Sequence, residues 1–335
     1  MTDDVRDRVD AALSAFLDQR GGEWPAQAPH DVLGVLRRFV LAGGKRLRPA
    51  FCYWGWRGAG APDADEVIVA AAALELFHAF ALIHDDIIDD SDRRRGEPSV
   101  HRRLAVRGAA FGRHAALLCG DLCAAWAEQM FHECGLPPDR IAGAHPILAR
   151  MRTEVIAGQY LDLAAAATTV SAALTVVRLK GARYTVTRPL QIGARLAGGE
   201  ALGEALAAFG DPLGDAFQLR DDVLGVFGDP RVTGKPAADD LREGKPTVLI
   251  ALTREALPSA RRDRFELLFG DPGLDEEGAA TLREMIVATG ALARVERMIG
   301  ERRDEALSAL EAACLPDDAR KELSELAVTA IDRSH

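Results

Sequence analysis

Apolar residues recur at intervals of three and four along almost the whole chain of 335 residues, and segments that alternate apolar with polar residues are few. That period matches one face of an α-helix and conflicts with the two-residue repeat of a half-buried strand. In a background rich in Ala and Leu, both strong helix formers, the pattern predicts an all-α fold. Breaks are expected at Gly21 to Pro29, Arg57 to Pro62, Gly135 to Pro138, Gly198 to Gly199, Gly228 to Lys245 and Pro258 to Gly273. They leave about ten or more helices with short connections, as in a helical bundle around a central cavity. No stretch reads as an interdomain linker and no fixed-period repeat is evident, so residues 1–335 read as one domain.

Composition narrows the function classes. Hydrophobic residues make up 48% of the chain and charged residues 27%, which suits a globular protein with a sizeable core and excludes a largely disordered one. A net charge of -10 provides no pervasive basic surface for nucleic acid, so any anion must be bound locally. The N-terminal MTDDVRDRVDAALSAFLDQR sets acid and base around an apolar stripe, an amphipathic helix and not a signal peptide. The longest apolar run, Val67 to Ile83, is interrupted by Glu75 and His78 and falls short of a comfortable membrane span. The cysteines Cys52, Cys119, Cys123, Cys134 and Cys314 form no CxxC pair; they read as buried free thiols, and a cytoplasmic location is expected. Cys119 and Cys123 have helical spacing that could hold zinc, yet no nearby residue completes a set of four ligands.

The chemistry concentrates in LIHDDIIDDSDRRRG, residues 82–96. A helix is expected from Val67 to Asp90, with Asp63 or Asp65 as its N-cap. Asp85 and Asp89 are four apart and share a face, with Asp86 beside them. Like charges at that spacing repel, and the helix dipole disfavours anions at a C-terminal end, so a cation must compensate. Mg²⁺ fits, since it takes oxygen ligands at about 2.0–2.1 Å and is commonly completed by substrate phosphates. A solvated acidic helix end followed by arginines is the alternative. A second Asp pair, Asp221 and Asp222 in FQLRDDVLG with Gln218 one turn earlier, favours the metal reading, because two such pairs can grip one diphosphate through several Mg²⁺ ions.

Basic loops accompany the pairs: GGKRLRP from Gly43, RRRG from Arg93, and the segments TGKP and GKP around Lys235 and Lys245. Arg suits bidentate phosphate contact, Lys acts as a point charge, and glycine lets the backbone approach. No P-loop pattern is present.

These motifs, GGKRLRP, LIHDDIIDDSDRRRGEPSVH, GQYLDL and FQLRDDVLGVFGDPRVTGKPAADDLREGK, resemble those of the trans-isoprenyl diphosphate (polyprenyl) synthase family in order and spacing, from about Gly43 to Pro246. The resemblance implies the isoprenoid synthase fold and a homodimer. It also implies that Asp85, Asp86, Asp89, Asp221 and Asp222 bind Mg²⁺ bridging an allylic diphosphate, which Arg94, Lys180, Lys235 and Lys245 also contact. Lys45, Arg48, His78 and Arg95 would bind isopentenyl diphosphate, and Gln218 would position the allylic group. The implied reaction is ionisation of the allylic C–O bond, attack by the isopentenyl double bond, and loss of a proton; Asp85, Asp89, Lys180 and Asp221 are the residues it places closest to catalysis.

Two positions depart from the family pattern: Gly225 stands where the second motif often ends in Asp, and Gly181 follows Lys180 where Ser or Thr is usual. Phe80, five residues before Asp85, resembles the aromatic floor of the family's elongation tunnel, and Phe77 lies near the same face. The first motif lacks the two-residue insertion of many bacterial farnesyl synthases, which points to geranylgeranyl diphosphate over farnesyl diphosphate as product. A class I terpene cyclase would share the fold, but its second metal motif usually contains Asn, and this chain has no Asn. A non-catalytic regulatory subunit would be expected to lose aspartates of the first motif, and all are present.

Overall fold

The computed structural model describes residues 2–25, 32–164, 168–228 and 239–331. The first half comprises α1 (Thr2–Gly21), α2 (Val32–Leu41), α3 (Leu47–Gly58), α4 (Asp65–Ile88), a hairpin of β1 (Arg93–Arg94) and β2 (Glu97–Pro98), α5 (Val100–Arg103), α6 (Ala109–His132) and α7 (Pro138–Leu163). Then follow α8 (Val170–Val176), a π-helical segment (Val177–Thr187), α9 (Arg188–Leu196), α10 (Gly203–Phe227) and α11 (Asp239–Arg242). The rest is α12 (Val248–Ala256), α13 (Ser259–Leu268), α14 (Glu276–Ala288), α15 (Ala291–Ala312) and α16 (Asp317–Ile331). The all-α prediction holds, with two-residue strands as the only sheet among the described residues.

The chain divides into two compact units. One gathers Met1–Pro146, Pro189–Gly203 and Leu315–Glu322; the other gathers Ile147–Arg188, Glu204–Cys314 and Leu323–His335. In the first unit α4 packs most extensively on α6, and also on α3 and α1. The stripe Val5, Val9 and Leu13 of α1 is fully buried, as its i, i+4, i+8 spacing dictates. Glycines let backbones touch: a Cβ at Gly55 of α3 would lie 2.1 Å from the Leu190 carbonyl oxygen, and one at Gly193 of α9 would lie 1.8 Å from that of Cys52. In the second unit, the π-helical segment meets α7 at Gly158 and α10 at Gly214, where a Cβ would lie 2.4 Å from the Lys180 nitrogen and 2.7 Å from the Ala182 oxygen respectively.

Three expectations shift. The helix expected from Val67 begins at Asp65 behind Ala64, with no side-chain cap, because Arg8 engages Asp63 at 3.0 Å and Asp65 at 2.7 Å while Tyr53 donates to Asp63 at 3.1 Å. The break expected from Pro258 to Gly273 contains α13, held by fully buried Phe265. Four cysteines are buried as expected, but Cys314 is exposed; burial pushes the Cys119 thiol up to about 12. By length and composition α4 could cross a membrane, with a mean hydropathy of 2.0 over its most apolar window, yet 67% of that window is buried against protein.

Candidate active site

Each unit presents a carboxylate cluster beside basic groups. In the first, α4 delivers Asp85 and Asp86 on its last turn, and Asp89 is the C-cap, its N–H bonded to the Asp85 carbonyl at 2.9 Å. Asp86 is wholly buried. The Arg94 guanidinium donates to Asp86 through Nε at 2.8 Å and also through Nη2, and reaches Asp85 at 3.3 Å. The paired carboxylates therefore hold Arg94 protonated despite its burial. Asp85 and Asp89 are half-buried, one turn apart on a surface that can still admit a cation.

The arginine run folds into a hairpin whose strands pair Arg93 with Pro98 and Arg94 with Glu97. Its turn residues Arg95 and Gly96 have φ of 54° and 77°, the two left-handed positions of a type I′ turn. Arg95 reaches over to donate to the Gly43 carbonyl at 2.8 Å, so the GGKRLRP loop and the RRRG loop meet. Among the described residues, the non-glycine positions with positive φ are Arg46, Asp90 and Arg95, all beside these motifs, which is where backbone strain commonly collects.

Arg46 and its neighbours divide the labour. Arg46 is buried and bonds Glu75 at 2.7 Å, Asp10 at 2.8 Å and the Val40 carbonyl at 2.8 Å, so it anchors the loop. Lys45 is exposed and Arg48 half-buried in the first turn of α3. Burial, followed by the charges of Arg48, Arg95, Arg94 and Arg46, holds His78 well below its usual pKa and therefore neutral. Burial and the like charges of Arg46, Arg94 and Arg48 likewise lower Arg95, against a partial offset from Glu75. Arg48 and Arg95 thus act on His78 together with Arg94 and Arg46, positive charge that favours an anion.

In the second unit, Gln218 of α10 donates to Asp222 at 3.0 Å. Burial, followed by the like charges of Asp221, Asp240 and Asp162, pushes Asp222 up to about 8 against that hydrogen bond. Lys180, on the π-helical segment, pairs with Asp162 of α7, and Lys245 pairs with Glu243 at 2.8 Å and Asp240 at 3.5 Å. Lys235 lies outside the described residues.

The two departures acquire a physical reason. A Cβ at Gly181 would lie 2.0 Å from Gln218 Oε1, and one at Gly225 would lie 1.8 Å from Asp240 Oδ2. Gly181 makes room for Gln218, and Gly225 for a carboxylate from α11. Sequence reasoning missed Asp162 and Asp240, although both sit in quoted motifs, GQYLDL and AADDLREGK. Their roles depend on which helices pack together, and spacing along the chain does not reveal that.

Aromatic and histidine side chains around the first motif pack on one another. Phe77 is buried, its ring 5.2 Å from that of Phe80, and Phe80 lies 4.7 Å from the His84 ring. His84 bonds the Leu117 carbonyl at 3.1 Å, in space opened by Gly120, where a Cβ would meet the ring at 2.3 Å. His101 bonds Ser99 at 3.2 Å.

Oxygen-rich clusters next to arginine and lysine suit a hard divalent ion and a diphosphate. The polyprenyl synthetase family model matches residues 30–285 of the 335. The chain belongs to the polyprenyl synthetase family. It is an enzyme, a transferase of the prenyl diphosphate synthase type. A solved structure of geranylgeranyl pyrophosphate synthase from Corynebacterium glutamicum, complexed with isoprenyl diphosphate and magnesium, is 40% identical with a TM-score of 0.94, covering 99% of both chains. The geranylfarnesyl diphosphate synthase of Aeropyrum pernix is 35% identical over 89% of this chain and 92% of its own. The (2E,6E)-farnesyl diphosphate synthase of Mycobacterium tuberculosis is 31% identical over 87% and 80%. Members this similar thus carry names for products of different length, so membership of the polyprenyl synthetase family does not by itself fix chain length.

Proposed function

We propose that this polyprenyl synthetase is a Mg²⁺-dependent head-to-tail prenyltransferase that condenses isopentenyl diphosphate with allylic diphosphates and makes geranylgeranyl diphosphate. The observation that carries the reading is the convergence of Arg48, Arg94, Arg95 and Arg46 on neutral His78, next to a carboxylate cluster at the end of α4. One basin is built for an anion and its neighbour for a cation.

Asp85 and Asp89 would hold metal in the first unit and Asp221 and Asp222 in the second, while Asp86 chiefly fixes Arg94. An ion such as Mg²⁺ held there would supply positive charge to offset that of a departing diphosphate. Lys180, Lys235, Lys245 and Arg94 contact the same diphosphate. Lys45, Arg48 and Arg95 hold the isopentenyl diphosphate, and His78, kept neutral, donates a hydrogen bond without adding charge. With both diphosphates held, the allylic C–O bond breaks, the isopentenyl double bond supplies the electron pair for the new C–C bond, and a proton leaves to the released diphosphate. Phe77 and Phe80 offer an apolar wall that keeps water from the allylic cation, and Phe80 sets the floor.

On this reading residues 1–335 are a single catalytic domain. A cytoplasmic homodimer completes the reading, supported by apolar side chains exposed on α6 (Leu117, Leu118) and on α7 (Ile156, Tyr160). Labelled isopentenyl diphosphate, offered with dimethylallyl, geranyl and farnesyl diphosphate in turn, tests the proposal. Incorporation that requires Mg²⁺ and disappears with EDTA is expected; a purified, folded chain inert with all three primers overturns it.

A further inference from the structure

A third cluster of ligating side chains lies away from both aspartate clusters, at the junction of α6 and α7 in the first unit. Glu128 and His132 are one turn apart near the C-terminus of α6, and His145 projects from α7. One donor atom from each of the three lies within 4.8 Å of the others. Glu128 Oε1 is 3.3 Å from His132 Nδ1 and 3.4 Å from His145 Nε2. Donors about 2.0–2.2 Å from a tetrahedral zinc ion stand roughly 3.3–3.5 Å apart, so the edge between Glu128 and His145 already has that length.

The surroundings resemble a supported site more than an accidental surface group. His132 Nδ1 lies 2.9 Å from the Glu128 carbonyl oxygen. A proton there fixes the tautomer and leaves the Nε2 lone pair for a ligand, the arrangement metal-bound histidines usually have. The two imidazole rings are 5.7 Å apart and tilted by 55°, so they are not stacked on one another. The helices are joined by a short turn through Gly135, whose φ is +90°, and through Pro137 and Pro138. Such a turn restrains the spacing between α6 and α7 before any ion arrives. Both histidines line a cavity of about 590 Å³, whose walls include Leu136, Pro138 and Ile141. Glu133 also lines it but is committed to Arg20 at 3.0 Å and to Gln129 at 2.9 Å.

We propose that Glu128, His132 and His145 form a three-ligand site for a zinc-class divalent transition ion, with a fourth coordination position open beside this cavity. The donor set decides the ion. Two imidazoles and one carboxylate favour Zn²⁺ and its transition-metal neighbours over Mg²⁺, which prefers oxygen throughout. The three ligands come from two helices, so an ion here ties the end of α6 to the start of α7 and stabilises their junction. The site is independent of the prenyl-transfer reading, because none of its residues belongs to that chemistry.

Zn²⁺ titrated into EDTA-stripped protein in excess Mg²⁺, which occupies the aspartate clusters, tests the site. Binding of one equivalent with micromolar affinity is expected, together with a rise in thermal midpoint. Affinity should fall at least about tenfold in His132→Gln and in His145→Gln, and elongation in Mg²⁺ should be unchanged. Zn²⁺ affinity unaltered in the double variant, or no Zn²⁺ bound in excess Mg²⁺, overturns the proposal. If the variants fail to fold, zinc-edge absorption on the parent decides: two imidazole scatterers support the site, and oxygen ligands alone refute it.

Discussion

At Asp89 the chemistry of the site opposes the physics of the helix. A carboxylate at a helix C-terminus, one turn beyond Asp85, meets both the dipole and a like charge. Asp89→Asn is therefore expected to raise metal-free stability by about 0.3–0.5 kcal/mol while lowering elongation by about 100-fold in kcat; urea unfolding and steady-state rates measure the two. Gly225 gives an opposite lesson. Restoring the family's aspartate with Gly225→Asp should lower activity and weaken Mg²⁺ activation, since the space is already taken by Asp240 and a further carboxylate adds repulsion. A Mg²⁺ activation curve steeper or tighter than the parent's would contradict that. Lysine usage carries information at this scale too. The chain has five lysines among 41 basic residues, and Lys45, Lys180, Lys235 and Lys245 are four of them, the fifth being Lys321. On the proposed function, a chain that otherwise uses arginine keeps lysine where a compact point charge on phosphate is needed. The aspartate pairs and the lysines of the Gly-rich loops stood out in the sequence by spacing and residue type, and Lys180 by resemblance. Asp162 and Asp240 were not, because only packing gives them partners.

Among elements, the β1–β2 hairpin shows how local strain serves a site. Its type I′ turn asks for two left-handed residues, and the first is Arg95 instead of the usual Asn, Asp or Gly. The guanidinium is then aimed at the Gly43 carbonyl and the basin around His78. Arg95→Gly should remain within about 1 kcal/mol of parent stability, since relief of strain offsets the lost hydrogen bond. KM for isopentenyl diphosphate should rise at least about tenfold; an unchanged KM would remove Arg95 from the binding set. The hairpin was invisible to periodicity, being only two residues per strand. The start of α4 was misread for a related reason: Asp63 is a good N-cap by type, but Arg8 and Tyr53 claim it. The π-helical segment likewise follows from close approach at Gly158 and Gly214, not from its own propensities.

For the molecule as a whole, the basic basin around His78 sets a pH dependence of stability. His78 in the folded state has its pKa well below the ordinary 6.5, because of burial and four arginines. The unfolded chain takes up this proton near pH 6.5 and the folded chain does not. The stability it represents is thus complete above that pH and declines as the pH falls below it, by at most about 1.4 kcal/mol per pH unit. His78→Gln should flatten the difference between pH 7 and pH 5; identical slopes in parent and variant would refute the assignment. The helical class of the whole molecule followed from the three-and-four period, since that pattern runs through nearly every segment. Product length followed only from the resemblance, through the absent two-residue insertion and Phe80, since periodicity and spacing mark Phe80 as no more than an apolar helix position. The most direct measurement of the account is the mass of the diphosphate made from isopentenyl and farnesyl diphosphates by the purified chain in Mg²⁺. A twenty-carbon product that grows longer in Phe80→Ala is predicted; no elongation beyond fifteen carbons, or a parent product longer than twenty, would contradict it.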